Sequence, residues 1–162
     1  MLYAVGKPVY HKFTEQNYGA WLKDPAPKND IVAEKIWSTR ENDSNRLYEY
    51  SNKISYRNNI AGKTYRIEPP FRGNSHVIYN GSFYYNDRDE PRITRYDIVA
   101  ERKMKSLDIP GLSYNSSNYL YTTEHNYIDI NVDDNGLWVI YATPHSNNTI
   151  VAKVREINLF PI

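Results

Sequence analysis

The feature that most constrains this chain is the recurrence of short apolar or aromatic runs, each bounded by a cluster of Asn, Asp, Ser, Gly and Pro. Such runs are typical of strands, and such clusters are typical of the turns between them. The first two runs occupy residues 35–39 and 46–50, and they predict a hairpin joined by the polar stretch 40–45. Because no long helical periodicity interrupts the pattern, the chain is predicted to be all-β.

An Asn-Gly pair at residues 80–81 marks a second hairpin. Both central positions of a type I′ turn need positive φ, so this pair between β-rich runs is the strongest short-range hairpin signal. It joins runs at residues 75–79 and 82–85, and further runs at 92–97 and 99–104 extend the same meander. Charges on alternate residues of the last two runs predict outer strands with one face in water.

A third group of strands is predicted at residues 127–133, 137–141 and 149–154, with a turn at 134–136. Three groups at a spacing of roughly 40–50 residues match the period of four-stranded propeller blades. A closed propeller usually has about 4–8 blades, so three groups are too few to close a ring. Residues 1–162 are therefore predicted to be one domain, a partial β-propeller truncated at its C-terminus.

The composition narrows the classes of partner. Lys and Arg total 20 against 19 for Asp and Glu, so there is no net field to attract nucleic acid or membrane phosphates. The 16 tyrosines favour strands. The absence of cysteine excludes an internal disulfide and thiolate metal sites. No stretch approaches the roughly 20 apolar residues of a membrane span, and an export signal, if the protein is secreted, lies outside this sequence.

Three motifs in this chain resemble the olfactomedin-like domain family and follow the family's order. Residues 17–25, Asn-Tyr-Gly-Ala-Trp-Leu-Lys-Asp-Pro, resemble its Tyr-Gly-Ala-Trp-Met-Lys-Asp-Pro signature. Residues 73–82, Gly-Asn-Ser-His-Val-Ile-Tyr-Asn-Gly-Ser, resemble its Gly-Thr-Gly-His-Val-Val-Tyr-Asn-Gly-Ser motif. Residues 128–141 resemble its block that ends in Gly-Leu-Trp-Val-Ile-Tyr.

The resemblance covers nearly the whole chain and implies the family's five-bladed propeller, of which about three blades would be present. It also implies a non-enzymatic, extracellular protein-binding module, secreted or at the cell surface, of an adhesion, matrix or synaptic signalling protein. The expected partner is an extracellular protein, with no nucleic acid and no membrane span in this chain. Open propeller edges would also permit self-association.

The resemblance further implies a calcium ion in the central channel and places one carboxylate ligand at Asp129. The spacing alone favours a simpler interpretation, a polar residue alternating with Ile128 and Ile130 on a strand. The family often has a second acidic residue where this chain has Tyr127. Because calcium takes about 6–8 oxygen ligands, weak or no calcium binding is expected from this chain alone.

No other motif in the sequence predicts catalysis or a metal site. Residues 129–136 do not fit the spacing of an EF-hand loop, whether the loop is counted from Asp129 or from Asn131. The four histidines show no short metal-ligand spacing. The sequence contains no nucleophile elbow, phosphate-binding loop or dinucleotide fingerprint. The prediction is therefore that the protein is not an enzyme.

Four Asn-x-Ser/Thr sequons begin at Asn42, Asn80, Asn115 and Asn147. Asn80 lies in the predicted tight turn, where positive φ explains its presence. The other three are predicted to lie in polar loops, which makes Asn42, Asn115 and Asn147 the candidates for glycosylation.

Two alternatives belong to other classes of function. One is a propeller hydrolase that uses a central calcium, which would need acids and histidines clustered in the channel, where the sequence offers Asp129 alone. The other is a structural half-propeller completed by another chain, since an open propeller exposes strand edges and apolar blade faces.

Overall fold

The computed structural model describes residues 13, 15–114, 119–121 and 125–143, together with the backbone of 146–153. Within these residues the chain forms three antiparallel sheets, here called sheets I, II and III in chain order. Each sheet is a meander in which neighbouring strands along the chain pair with each other. The prediction of an all-β fold with antiparallel strands is confirmed.

Sheet I contains the hairpin predicted at residues 35–39 and 46–50, with one further strand on each side. Its four strands are β1 (Gly19–Leu22), β2 (Ile36–Arg40), β3 (Arg46–Tyr50) and β4 (Lys63–Arg66). Two short helices, α1 (Asp30–Glu34) and α2 (Lys53–Arg57), lie in its connections, and a 3₁₀ turn covers Glu41–Asp43. The sequence did not predict β1 and β4, because each has only four residues and β4 buries Tyr65 alone.

Sheet II confirms the Asn-Gly hairpin. Asn80 and Gly81 have φ of 46° and 72°, as a type I′ turn requires. The four strands of this sheet are β5 (Val77–Tyr79), β6 (Ser82–Asn86), β7 (Arg92–Asp97) and β8 (Arg102–Asp108).

The predicted strand at residues 99–104 was wrong in its position. The Asp97 carboxylate accepts hydrogen bonds from the Val99 and Ala100 amides at 2.9 and 2.8 Å, which forms a turn that ends at Glu101 with φ of 54°. The last strand of the sheet therefore begins at Arg102.

Sheet III matches the third predicted group closely. Its strands are β9 (Ile128–Asp133), β10 (Gly136–Thr143) and β11 (Ser146–Lys153). Residue 154, the last of the predicted third strand, lies outside the described residues.

The three sheets are joined by two apolar cores that share sheet II. The residues of β6 alternate between them, with Phe83 and Tyr85 in the core with sheet I and Tyr84 in the core with sheet III. This alternation explains why all five residues of β6 are buried. The first core contains Trp37, Leu47, Tyr65, Ile67, Phe71, Ile78, Phe83, Tyr85, Tyr96 and Ile98. The second contains Tyr84, Ile93, Ile109, Leu112, Tyr127, Ile128, Ile130, Leu137 and Val139.

A buried carboxylate fixes the N-terminal segment to sheet II. Asp24 is only 5% exposed, and it accepts the amide hydrogens of Asn80 at 2.9 Å and Gly81 at 2.7 Å. It also accepts the Ala26 amide at 2.9 Å. The turn predicted from local sequence is therefore also held by a distant side chain.

In the part of the chain that the structure describes, no helix has the length and apolar character needed to cross a membrane.

Candidate metal-ligand site between sheets II and III

Asp129 lies on β9, on the face opposite to its neighbours Ile128 and Ile130. Those two isoleucines are buried in the second core at 1% and 2% exposure, whereas Asp129 is half-buried. In the sheet Asp129 pairs with Ile140 of β10. The strand alternation predicted for this position is therefore confirmed, and it directs the carboxylate away from the core.

The Asp129 carboxylate receives a hydrogen bond on each oxygen. The Ser75 hydroxyl donates to Oδ1 at 2.7 Å, and the Tyr121 hydroxyl donates to Oδ2 at 2.7 Å. Ser75 Oγ also accepts the backbone N–H of Ile130 at 2.6 Å. Ser75 thus connects the segment that leads into sheet II with the first strand of sheet III, and the two hydroxyls fix the direction of the carboxylate.

The segment that carries Ser75 is held by close backbone contacts. Gly73 has φ of +71°, and a Cβ at this position would lie 1.9 Å from Asn126 Oδ1 and 2.7 Å from the His125 carbonyl oxygen. The same Asn126 Oδ1 accepts the Asn74 amide at 3.0 Å, and Asn126 Nδ2 donates to Asn74 Oδ1 at 2.6 Å. Only glycine fits this approach at position 73.

His76 anchors the same segment from inside the core. Its ring lies between Phe71 and Phe83, with centroid distances of 4.8 and 5.4 Å, and its Nε2 donates to the Gly73 carbonyl at 3.0 Å. Burial lowers the pKa of His76 to about 4, so the imidazole is neutral at physiological pH. This confirms His76 as a hydrogen-bonded structural residue.

Two tyrosines near Asp129 have different roles. The hydrogen bond to the Asp129 carboxylate, together with burial, raises the pKa of Tyr121 to about 12, so this phenol stays a donor at neutral pH. Tyr127 is 2% exposed, stacks on Tyr119 at 4.9 Å, and has the Arg72 guanidinium 4.9 Å from its ring centroid. Tyr127 therefore packs in an aromatic cluster at the position where the family often has a second acidic residue.

The donors around Asp129 suit calcium in kind but not in number. A carboxylate and two hydroxyls are hard oxygen donors, and calcium needs about 6–8 oxygens. Across residues 13–143, leaving out the gaps in the description, no group of three or more His, Cys, Asp or Glu side chains could hold a metal ion. Asp129 therefore fits calcium as one ligand, and the described residues do not make a complete site.

Ser75, Tyr121 and Asn126 were not predicted as site residues. Ser75 carried a signal, because it stands where the family motif has glycine and so adds a hydroxyl to that segment. Tyr121 and Asn126 lie in no motif of the sequence, and their roles depend on contacts that span the fold.

The sequons fall in different environments. Asn42 is exposed on the 3₁₀ turn Glu41–Asp43, as expected for a glycan acceptor. Asn115 lies outside the described residues. The predicted loop position of Asn147 was wrong, because the backbone of this residue belongs to β11. The pairing of β10 with β11 shifts register between Ala142 and Thr143.

Comparison with known proteins adds a family to this geometry. The chain is 29% identical to human myocilin over 161 residues, which is 96% of this chain and 32% of that protein. It is 29% identical to rat myocilin over 161 residues and to dog myocilin over 152 residues, again with 32% of each relative covered. The chain thus spans about a third of the length of the curated relatives it matches. The olfactomedin-like domain family matches residues 1–160, and the chain belongs to that family.

Proposed function

We propose that this chain is part of a non-enzymatic, extracellular protein-binding module, secreted or at the cell surface, of an adhesion, matrix or signalling protein. The observation that carries the proposal is the family match over residues 1–160, because it includes every sheet and the Asp129 site. The proposal assigns residues 1–162 to one olfactomedin-like domain, with about three of the family's five blades.

The stacking of the sheets supports a propeller. Each described sheet is an antiparallel meander, and sheet II is buried on both faces by its neighbours. A propeller blade has this property, since its faces are covered by the preceding and following blades. The contact of Ser75, just before β5, with Asp129 on β9 also brings the first strands of sheets II and III together. Sheets I, II and III would be successive blades.

The Asp129 carboxylate supports a calcium site that is completed outside the described residues. Asp129 would supply one ligand, and Ser75 and Tyr121 would hold its carboxylate in a fixed direction. Bound calcium would add positive charge and rigidity where the blades meet. Residues 1–162 alone are expected to bind calcium weakly or not at all, because one carboxylate is too little for this ion.

Recognition of a protein partner is proposed to use loops at the edges of the sheets, since loops on a rigid scaffold commonly carry binding. The segment from α2 into the following turn is one such element. Ile54 and Ile60 in this segment are 70% and 63% exposed, and large aliphatic side chains on a fixed loop favour contact with a protein surface. Glycans at Asn42, Asn115 and Asn147 would also place these positions outside the cell.

Two measurements test this proposal. Antibodies are expected to detect the protein on unpermeabilised cells that make it, or in the medium of these cells. Detection in the cytosol alone would contradict the proposal. The natural-length protein is also expected to bind a purified extracellular domain saturably. Ile54→Asp with Ile60→Asp should weaken that binding, whereas Thr64→Asp, at an exposed position of β4, should not. Turnover of lactone or glycoside substrates would favour the hydrolase alternative instead.

A further inference from the structure

The chain contains two Asn-Gly pairs, Asn80-Gly81 and Asn135-Gly136. They lie at the β5–β6 and β9–β10 hairpin turns. Glycine has no Cβ to hinder approach, so its amide nitrogen can reach the side-chain carbonyl carbon of the preceding asparagine. The two turns therefore share the sequence needed for spontaneous deamidation, and their surroundings decide whether it occurs.

The chemistry of this reaction needs only water. The glycine amide loses its proton and its nitrogen attacks the asparagine Cγ, forming a C–N bond. The side-chain nitrogen takes up a proton and leaves as ammonia, which closes a five-membered succinimide. Water then opens one of the two ring carbonyls, giving aspartate or isoaspartate. No oxidant, reductant or enzyme is required.

The surroundings of Asn80 oppose the first step. The Gly81 amide, which would be the nucleophile, donates to Asp24 Oδ2 at 2.7 Å, and the Asn80 amide donates to Oδ1 at 2.9 Å. A buried negative charge makes it harder to remove a proton from the amide that it accepts. Asp24 and Gly81 are 57 residues apart, so releasing this amide means separating the N-terminal segment from sheet II.

The contacts of Asn135 are local and its side chain is in water, although the following Gly136 is buried as the first residue of β10. Asn135 is exposed, and its amide and Nδ2 donate to the exposed Asp133 carboxylate at 2.7 and 3.3 Å. The Gly136 amide also donates to Asp133. These contacts join residues at most three positions apart at the end of one hairpin, where Asp133 of β9 pairs with Gly136 of β10. None of residues 133–136 belongs to either core, so the hairpin end can open while both cores stay packed. Openings of this kind cost far less free energy than global unfolding.

We propose that Asn135 is a site of spontaneous deamidation in the folded protein. Asp24 protects Asn80 from the same reaction by accepting the Gly81 amide. Each conversion adds one negative charge to a turn that already carries Asp133 and Asp134. Conversion to isoaspartate also adds a carbon to the backbone between β9 and β10. The modification thus alters the hairpin that carries Asp129.

The test is to incubate the folded chain at mildly alkaline pH and follow both pairs by peptide mapping with mass spectrometry that distinguishes isoaspartate. Asn135 is expected to convert several-fold faster than Asn80. In urea, where neither turn is held, the two rates should become similar. Equal rates in the folded chain would overturn the proposal, and so would an Asn135 that survives while the denatured chain loses both asparagines.

A variant isolates the role of Asp24. Asp24→Ala is expected to raise the Asn80 rate and leave the Asn135 rate unchanged, with the fold checked by circular dichroism. An unchanged Asn80 rate in a folded Asp24→Ala chain would show that the carboxylate does not protect it. Should this variant unfold, the comparison of the folded and denatured parent chain still decides the proposal.

Discussion

The Ser75 hydroxyl donates to the Asp129 carboxylate at 2.7 Å, although the two residues are 54 positions apart in the chain. The same oxygen accepts the N–H of Ile130, which is 2% exposed. One side chain therefore orients the candidate calcium ligand and also satisfies a buried backbone donor of the next sheet. Loss of this side chain should affect both the site and the stability of the fold.

Ser75→Ala is expected to destabilise the chain by about 1–3 kcal/mol, the usual cost of a buried polar group left without its partner. Urea unfolding followed by tryptophan fluorescence measures the change. Ser51→Ala is the matched control, because the Ser51 hydroxyl is exposed and donates to Ser55 Oγ at 3.2 Å. Equal midpoints for the two variants would mean that the bridge between the sheets contributes nothing.

Gly73→Ala should also destabilise the junction. The added methyl group would collide with Asn126 and the His125 carbonyl, and φ of +71° disfavours any residue with a Cβ. A loss above about 1 kcal/mol is expected, since overpacking alone typically costs about 1–3 kcal/mol. Gly62→Ala is the control, because its nearest neighbour, the Glu49 carbonyl oxygen, would be 3.9 Å from the new Cβ. A Gly73→Ala chain as stable as Gly62→Ala would contradict the close approach.

His76 should make stability depend on pH between about 6.5 and 4. Its pKa is lowered by burial from 6.5 to about 4, so over this range the unfolded chain binds more protons and stability falls as the pH falls. A shift of this size corresponds to a loss of about 3 kcal/mol. His76→Gln keeps a donor but does not titrate, and it should flatten the profile of unfolding free energy in this window. A His76→Gln chain whose profile stays as steep as that of the parent would contradict this account.

Glu49 should add a second loss of stability at lower pH. Burial by itself would raise its pKa, but hydrogen bonds from Lys35, Tyr65 and Trp37 outweigh burial and lower the pKa below 4.5. A lowered carboxyl pKa stabilises the fold above the unfolded value, and the contribution is lost as the pH falls from 4.5 through the folded value. Glu49→Gln should remove that part of the acid dependence. Glu34→Gln, at an exposed position, should retain it.

Local signals predicted most of the strands of this fold but not β1 and β4. Asn80 and Gly81 specify their own turn, because their backbone preferences act within a few residues. The start of β8 was missed, since the Asp97 side chain ends the preceding strand in a turn, whereas the apolar residues 98–100 of that turn resemble a strand in sequence.

The site was predictable only in part, because its other members depend on contacts across the fold. Asp129 came from a family motif, and the alternation of β9 gave the face on which it lies. Ser75 and Asn126 acquire their roles only when the segment before β5 lies against sheet III. Asp24 likewise reaches the Asn80-Gly81 turn from 56 and 57 residues away. No spacing within the sequence encodes these distances.

An experimental structure of the protein at its natural length, determined with calcium present, tests the central claim most directly. The expected result has sheets I, II and III as successive blades around a channel, with an Asp129 oxygen about 2.3–2.6 Å from the ion. Asp129→Asn, measured by calorimetry on the same protein, should then weaken calcium binding. A barrel or sandwich that these three sheets complete by themselves, or an ion bound away from Asp129, would contradict the account.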